Sequence, residues 1–460
     1  MQTRKIKNYE IIEATCKELV AEGVGISYLD VDPELYKPLT AFIVGVLPGE
    51  RFLARIQKVK SGYMHGSLLP RNEIPDEWIG KKTDEKYHFT DNPDGALLST
   101  SQDRILSPCS NFSQCGGCKL LHLSYENTIS YKHKWLLNHL KRNKVTDFPD
   151  MEISPSPDTR NYRNHAQIHI NKKMERGLFA PNSYRTTPFP PEKCILFNQK
   201  LFDENFPEEL KLVRCVRTRI DQFSGKCKIW ELNSPADKKA EFTYNISYPP
   251  ETITSVTIPN NSFFQVNNEM LPLWLNYIES MIYSLDLIDK NQKENKINIL
   301  ELFSGFGFIS KMLSYKINLS SMGIDILKKR EIEKVIFKNS NYETNVEKDF
   351  LENYIEHDLH KLTDIGPDKI MKIKNFKPDL LLINPPRSGF LQSEIEFMFS
   401  QILDPLHPAI IYSSCNGSTA ARDLDSFQKK GYKINAFRLF DFFPWTSHYE
   451  IVAQLTFKNM

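Results

Sequence analysis

Three cysteines, Cys109, Cys115 and Cys118, crowd into the run Ser107-Pro-Cys-Ser-Asn-Phe-Ser-Gln-Cys-Gly-Gly-Cys. Gly116 and Gly117 let the backbone between them turn tightly enough for neighbouring sulfurs to face one centre. Three close thiolates suit a metal ion or an iron–sulfur cluster and leave a fourth position to fill. Cys194, which follows the turn Pro188-Phe-Pro-Pro-Glu-Lys, is the best candidate for it. Cys215 and Cys227 lie in segments that alternate like paired strands, where a buried, unligated thiol is the ordinary outcome. Four thiolates can hold either tetrahedral zinc or a [4Fe–4S] cube, and ligand chemistry alone leaves both open.

A second set of chemistry-bearing residues begins at Lys296. The apolar run Ile297-Asn-Ile-Leu-Glu-Leu-Phe leads directly into Ser304-Gly-Phe-Gly-Phe-Ile-Ser. Gly305 and Gly307 would allow a ligand to lie against the backbone at a helix N-terminus. Asp325, about twenty residues on at the end of Ser321-Met-Gly-Ile, could hold ribose hydroxyls. Two later apolar runs end in polar motifs, Asp379-Leu-Leu-Leu-Ile-Asn-Pro-Pro-Arg-Ser-Gly and Ala409-Ile-Ile-Tyr-Ser-Ser-Cys-Asn-Gly. Asn384 and Cys415 thereby fall at the carboxyl ends of strands, where doubly wound α/β sheets bind ligands.

The elements that would position these residues divide the chain of 460 residues into three expected domains. Residues 1–70 read as short alternating strands punctuated by Gly23, Gly25, Gly49 and Gly62, a small β-barrel pattern. One of these strands carries Arg51, Arg55, Lys58 and Lys60, suited to phosphate contacts. Residues 71–290 hold the cysteine cluster and a β-rich region. Within them, Tyr125 to Asn143 has helical spacing with Lys132, Lys134, Lys141 and Arg142 on its polar side. The polar run Asp289 to Asn295 reads as a linker before an α/β domain at residues 291–460. A net charge of +2 does not by itself announce a nucleic-acid partner, so any electrostatic footprint must be local. No run of eighteen apolar residues suggests a membrane span, and the N-terminal Met1-Gln-Thr-Arg-Lys leads into polar sequence, so a cytoplasmic protein is expected. Eight cysteines in such a chain argue against a disulfide framework. Nothing in the sequence implies an obligate protein partner.

Taken together, the ordered motifs resemble the RNA 5-methyluridine methyltransferase family, within it the bacterial ribosomal-RNA branch that carries both a TRAM domain and a cluster. The resemblance rests on the TRAM-like start at Gly23-Val-Gly-Ile and Phe42-Ile-Val-Gly-Val-Leu-Pro-Gly-Glu and on the four cysteines. Further along it rests on Phe263-Phe-Gln-Val-Asn, Glu301-Leu-Phe-Ser-Gly, Asn384-Pro-Pro-Arg-Ser-Gly, Ser414-Cys-Asn and Phe443-Pro-Trp-Thr-Ser-His-Tyr-Glu. It implies a Rossmann-like S-adenosylmethionine domain behind an OB-like TRAM barrel and a central domain holding a [4Fe–4S] cluster on Cys109, Cys115, Cys118 and Cys194. The donor would be lined by Gln265, Phe303, Gly305, Asp325 and Asn384. Cys415 would be the nucleophile and Glu450 the base, and the partner would be RNA, with large-subunit ribosomal RNA ahead of transfer RNA.

The implied chemistry accounts for these residue types. Carbon 5 of uracil is a weak nucleophile until a thiolate adds to C6 and makes an enolate, and after methylation a base must take the C5 proton so that the thiolate can leave. The chain departs from the family pattern at several positions. Asn384 replaces the usual Asp, exchanging a carboxylate for an amide. Gly417 stands where Pro usually follows Cys-Asn, Ser304 replaces a common Cys, Phe308 a polar residue and Trp445 a His. Asn-Pro-Pro also occurs in methyltransferases acting on the adenine amino group, but those place an aromatic residue where Arg387 stands. A radical enzyme would need Cys-x3-Cys-x2-Cys in place of the Cys-x5-Cys-x2-Cys found here. A catalytically degenerate RNA-binding or assembly factor is the non-enzymatic alternative, and Asn384 is its support.

Overall fold

A computed structural model describes residues 6–29, 39–79, 89–203, 206–210, 212–222, 224–285, 287, 296–339, 343–345 and 348–458. The linker-like run Asp289 to Asn295 lies outside the described residues. The N-terminal strands Ile11–Thr15, Glu18–Val20, Val24–Leu29, Leu39–Val44, Arg51–Lys60 and Tyr63–Leu68 form one sheet. Its closure comes from a bend between the first two strands: Ile11–Thr15 pairs antiparallel with Arg51–Lys60, while Glu18–Val20 pairs antiparallel with Val24–Leu29. The sheet thus curls into a barrel around Ile12, Ala41, Ile43, Phe52, Ile56 and Met64. Its wall continues past residue 70, since Leu97 bridges Phe52 and Ala96 packs with Leu53 and Leu69.

The middle of the chain builds a five-stranded antiparallel sheet in the order Thr186–Pro188, Arg176–Phe179, His165–Ile170, Cys215–Asp221, Lys226–Glu231. The hairpin Glu241–Ser247 and Ile253–Pro259 follows, and it recruits Ile336–Lys338 from the C-terminal region as its next strand.

The C-terminal sheet orders its strands as Ile355–Glu356, Leu319–Asp325, Ile297–Leu302, Leu380–Ile383, Ala409–Ser414, Glu450–Phe457 and Tyr432–Phe440, with Glu152–Ser154 at the edge. Every neighbour pair is parallel except the two that Glu450–Phe457 makes. The near-continuous apolar strands are those of a sheet covered on both faces. Leu381 and Ile383 join one core with Leu424 and Phe427, whereas Leu380 and Leu382 join the other with Leu275 and Ile278.

The helix Tyr125–Arg142 starts at Ser124, whose hydroxyl accepts a hydrogen bond from Asn127 N. Its apolar stripe needs a partner, and it finds one in the C-terminal sheet's layer, where Leu136 and Leu140 pack into the core shared with Leu424 and Phe427. The expectation that Lys132 lies on a polar, RNA-facing side is overturned. Helical spacing sets Lys132 in line with the buried Thr128, Trp135 and Leu136, and its ammonium meets Asp441 Oδ1 at 2.6 Å, wholly buried. Lys134, Lys141 and Arg142 are exposed.

Candidate active site

Strand register brings the proposed nucleophile and base together. Ser414 pairs with Ile451 across the antiparallel strands Ala409–Ser414 and Glu450–Phe457, so the next rung sets Cys415 opposite Glu450. Beyond Cys415, Asn416 caps the helix Gly417–Lys429 by accepting from Ser418 N at 3.1 Å. The Asn416 amide and the Thr419 hydroxyl both donate to the Arg387 carbonyl, at 3.0 and 3.2 Å, tying the Asn-Pro-Pro-Arg loop to the Cys-Asn loop. A methyl at Gly417 would strike the Tyr449 hydroxyl, which explains why glycine stands here.

The electrostatics of the pair are coupled. Burial pushes the Cys415 thiol up to about 11, the Glu450 carboxylate adds to that, and Arg387 opposes it with its charge and a hydrogen bond. Burial likewise pushes the Glu450 carboxyl up to about 8, opposed by a hydrogen bond from Gln265 and by Arg387. The pair therefore carries at most one negative charge comfortably, with Arg387 as its counter-ion. Gln265 is held in turn by Asn164, whose amide donates to the Gln265 carbonyl at 3.2 Å and to Asn268 Oδ1 at 2.6 Å. Sequence reasoning saw Arg387 within the Asn384-Pro-Pro-Arg motif without giving it a role, and passed over Asn164, which belongs to no local pattern that marks it.

The other expected donor residues gather at the carboxyl ends of the neighbouring strands. Asp325 ends its strand, and its two carboxylate oxygens accept from Gly305 N at 2.9 Å and Leu327 N at 3.0 Å. Gly305 takes φ 55°, and a Cβ there would meet nothing within 4 Å, leaving open space beside the backbone. Phe303 also takes a left-handed φ of 57°, strain of the kind that concentrates at ligand sites. Asn384 donates its main-chain N–H to Leu302 O at 3.3 Å, placing its amide at the adjoining strand end. Two polar atoms, Ser304 Oγ and Gln265 Oε1, are buried without hydrogen-bond partners among the described residues, unmet acceptors or donors that a polar ligand could satisfy.

The loop that carries Glu450 is anchored from behind. Asp441 accepts from Lys132 and, at 2.9 Å, from the Tyr125 hydroxyl, and the Trp445 carbonyl accepts from Lys119 N and Leu120 N at 3.2 and 3.1 Å. Those last two donors follow Cys118 directly. Cys109, Cys115 and Cys118 are each pushed up first by burial and also by Cys194, with Cys109 acting on Cys115 and both of these on Cys118. Cys215 feels no other thiol among the causes that move it, so it is Cys194 that stands with the three. Gly117 N donates to Cys115 Sγ at 3.4 Å. Among the described residues no three His, Cys, Asp or Glu side chains are arranged as a single ion would need. No helix among the described residues is long and apolar enough to cross a membrane.

Comparison with known proteins is consistent with this arrangement. A family profile described as tRNA (Uracil-5-)-methyltransferase matches residues 254–457. An uncharacterized RNA methyltransferase of Leptospira interrogans is 29% identical over 373 residues, covering 79% of this chain and 83% of that protein. Another, from Halalkalibacterium halodurans, is 23% identical and covers 100% of this chain and 99% of its own. The crystal structure of the Pyrococcus abyssi tRNA (uracil-54, C5)-methyltransferase in complex with S-adenosyl-L-homocysteine shares the fold, with a TM-score of 0.59 at 19% identity over 96% of this chain and 99% of that one. By these matches and by its sheet, the chain is similar to S-adenosylmethionine-dependent RNA (uracil-5-)-methyltransferases, with residues 254–457 matching the tRNA (Uracil-5-)-methyltransferase profile.

Proposed function

We propose that the protein methylates carbon 5 of a uridine in large-subunit ribosomal RNA through a covalent adduct on Cys415, with Glu450 as the base. The observation that carries this reading is the strand register that sets Cys415 opposite Glu450, with the charge of Arg387 acting on both. Cys415, as thiolate beside Arg387, adds to uracil C6, and the displaced electron pair becomes the enolate at C4. C5 then takes the methyl of S-adenosylmethionine as the sulfonium–methyl bond breaks and S-adenosylhomocysteine is left. Glu450 removes the C5 proton, the pair re-forms the C5–C6 double bond, and the C6–sulfur bond breaks to return Cys415. Gln265 orients the Glu450 carboxyl throughout. The open backbone at Gly305, the carboxylate of Asp325 and the unmet Ser304 Oγ fit the donor's nucleoside and amino-acid ends.

Cys109, Cys115, Cys118 and Cys194 are the proposed ligands of a [4Fe–4S] cluster. Four buried thiols within electrostatic reach of one another suit thiolate ligation. A single zinc ion, with Zn–S bonds of about 2.3 Å, would draw its sulfurs within about 4 Å of each other. A [4Fe–4S] cube takes the same four thiolates, so the iron and zinc content of the purified protein decides between the two. The cluster supplies a rigid crosslink between the Cys109–Cys118 loop and the turn at Cys194. The N-terminal barrel is the proposed TRAM-like RNA module. Its parallel pair Leu39–Val44 with Tyr63–Leu68 and its bent closing strand give the topology of OB-like barrels.

Transfer RNA is the second reading, favoured by one observation: the Pyrococcus abyssi enzyme, which acts on tRNA, aligns over 96% of this chain. A barrel and a central region are therefore compatible with either RNA. Mass spectrometry of nucleosides from ribosomal and transfer RNA, from cells with and without the gene, tests both. Loss of 5-methyluridine from ribosomal RNA is expected; loss from transfer RNA alone would transfer the assignment, and no loss from either would overturn it.

A further inference from the structure

A cleft of about 530 Å³ opens between the barrel, the residue that follows Cys118 and the loop 179–184, away from the strand ends that hold the donor residues. Lys58, Lys60 and Lys119 line it, together with His65 and Tyr184, and no Asp or Glu does. On the strand Arg51–Lys60 the other two basic side chains are paired, Arg51 with Glu13 and Arg55 with Glu73, which leaves Lys58 and Lys60 to the cleft, while Lys119 donates to the Glu22 carbonyl at 3.0 Å. The three lysines converge: each holds the His65 imidazole below its usual range, after the larger effect of burial. Tyr184 is 91% exposed, yet its ring is braced edge-on by Phe179 at 5.6 Å, and Phe179 itself stacks on His169 at 3.6 Å. A supported aromatic face presented to solvent beside a cationic wall is the arrangement that stacks an unpaired base and holds its phosphate.

We propose that this cleft binds one unstacked nucleotide of the RNA substrate, its base on Tyr184 and its phosphate among Lys58, Lys60 and Lys119. The proposal rests on the RNA-methylating reading of the active site. Lys119 explains why a strand held here would serve that site. Its side chain lines the cleft, while its backbone N–H holds the Trp445 carbonyl in the loop that leads to Glu450. Gly23 of the barrel packs against both Lys119 and Ser447, so the cleft and the catalytic loop adjoin.

The test uses the full-length protein and a fluorescein-labelled twelve-nucleotide oligouridylate, followed by anisotropy over a salt series, with a duplex RNA of equal length beside it. Tyr184→Ala should weaken single-strand binding about tenfold. It should change duplex binding less than about twofold. Because Tyr184 is so exposed, folding is not at stake, and titration with S-adenosylhomocysteine should be unaffected. Replacing Lys58 and Lys60 together by Met should reduce the slope of log K against log salt by about 1.4, some 0.7 per phosphate contact on a single strand. No oligouridylate binding by the wild type, a Tyr184→Ala affinity within about twofold of it, or equal weakening toward the duplex would each overturn the nucleotide subsite. A Tyr184→Ala effect in a protein that proves not to make 5-methyluridine would instead overturn the methylation reading and leave the cleft standing.

Discussion

Burial raises the proton affinity of both Cys415 and Glu450, and the Glu450 carboxylate raises that of Cys415 further, which sets how the reaction should respond to pH and to substitution. Glu450 is protonated below about pH 8 in the free protein and must lose that proton to act as a base, so kcat/KM should rise through that region. Glu450→Gln should abolish that limb, and a wild-type profile flat from pH 6 to 9 would count against Glu450 as the base. The same shift bears on stability. A carboxyl raised by folding stabilises the native state below the ordinary carboxylate range, and that contribution is lost as pH rises through about 8. The Glu450→Gln variant should therefore lose less stability than the wild type between pH 5 and 8 in urea titrations.

The order of bond making gives a second prediction at this scale. Glu450→Gln should still attack C6 and methylate C5, then stall, leaving RNA attached through Cys415 on a denaturing gel, while Cys415→Ala leaves none. Adduct from the Cys415→Ala protein would remove the nucleophile from the scheme. Asn384 belongs here too. It stands at the strand end beside Leu302, where the resembled family pattern has Asp, and Asn384→Asp should tighten S-adenosylhomocysteine binding severalfold if the site uses an acceptor there. A weaker complex would mean that this chain has adapted to the amide.

Among the elements, the helix Tyr125–Arg142 has a second task besides covering the catalytic sheet. Lys132 reaches from it to Asp441 and to the Phe443 carbonyl at 3.0 Å, pinning the loop that ends at Glu450. Burial alone pulls the Lys132 ammonium below its usual range, and Asp441 opposes that, so the charges hold each other in place. Lys132→Met would leave Asp441 buried without its counter-charge. The expected cost is about 3–5 kcal/mol in urea unfolding. Asp441→Asn in the same chain should recover part of it. RNA affinity at fixed salt should show no loss of a phosphate contact; a lower salt slope with unchanged stability would restore Lys132 to the RNA surface.

Over the whole molecule, the units interleave. Ile336–Lys338 extends the central hairpin from within the catalytic half, and Glu152–Ser154 extends the catalytic sheet from within the central half. Leu19 and Leu47 of the barrel share a core with Leu120 and Trp135, and the Trp135 indole donates to Leu19 O at 2.9 Å. The residues that follow the cysteine loop bond the Trp445 carbonyl, so a crosslink there would bear on the segment that leads to Glu450. Cys194→Ser should lower iron from about four per chain and reduce the melting temperature, with a smaller effect on donor affinity. Stoichiometric zinc in anaerobically purified wild type, or equal losses in Cys215→Ser, would contradict the assignment of the ligands.

Local order carried by contiguous residues was legible in the sequence: the glycine loop after Ile297–Leu302 and the strands that end just before Asn384 and Cys415. Local spacing also predicted the helix from Tyr125, since a 3.6-residue stripe is visible without a partner. Which side of that helix meets the protein was a tertiary decision. Lys132 looked solvated because its neutralising carboxylate, Asp441, lies more than three hundred positions away in the chain. The pairing of Cys415 with Glu450 likewise depended on antiparallel register between strands separated in sequence, and the interleaved domains on edge strands that pair with whichever sheet leaves its hydrogen bonds unmet. Residue types and local order were written along the chain, whereas charge partners, strand neighbours and the cleft beside Lys119 arise from contacts between segments that the sequence keeps far apart.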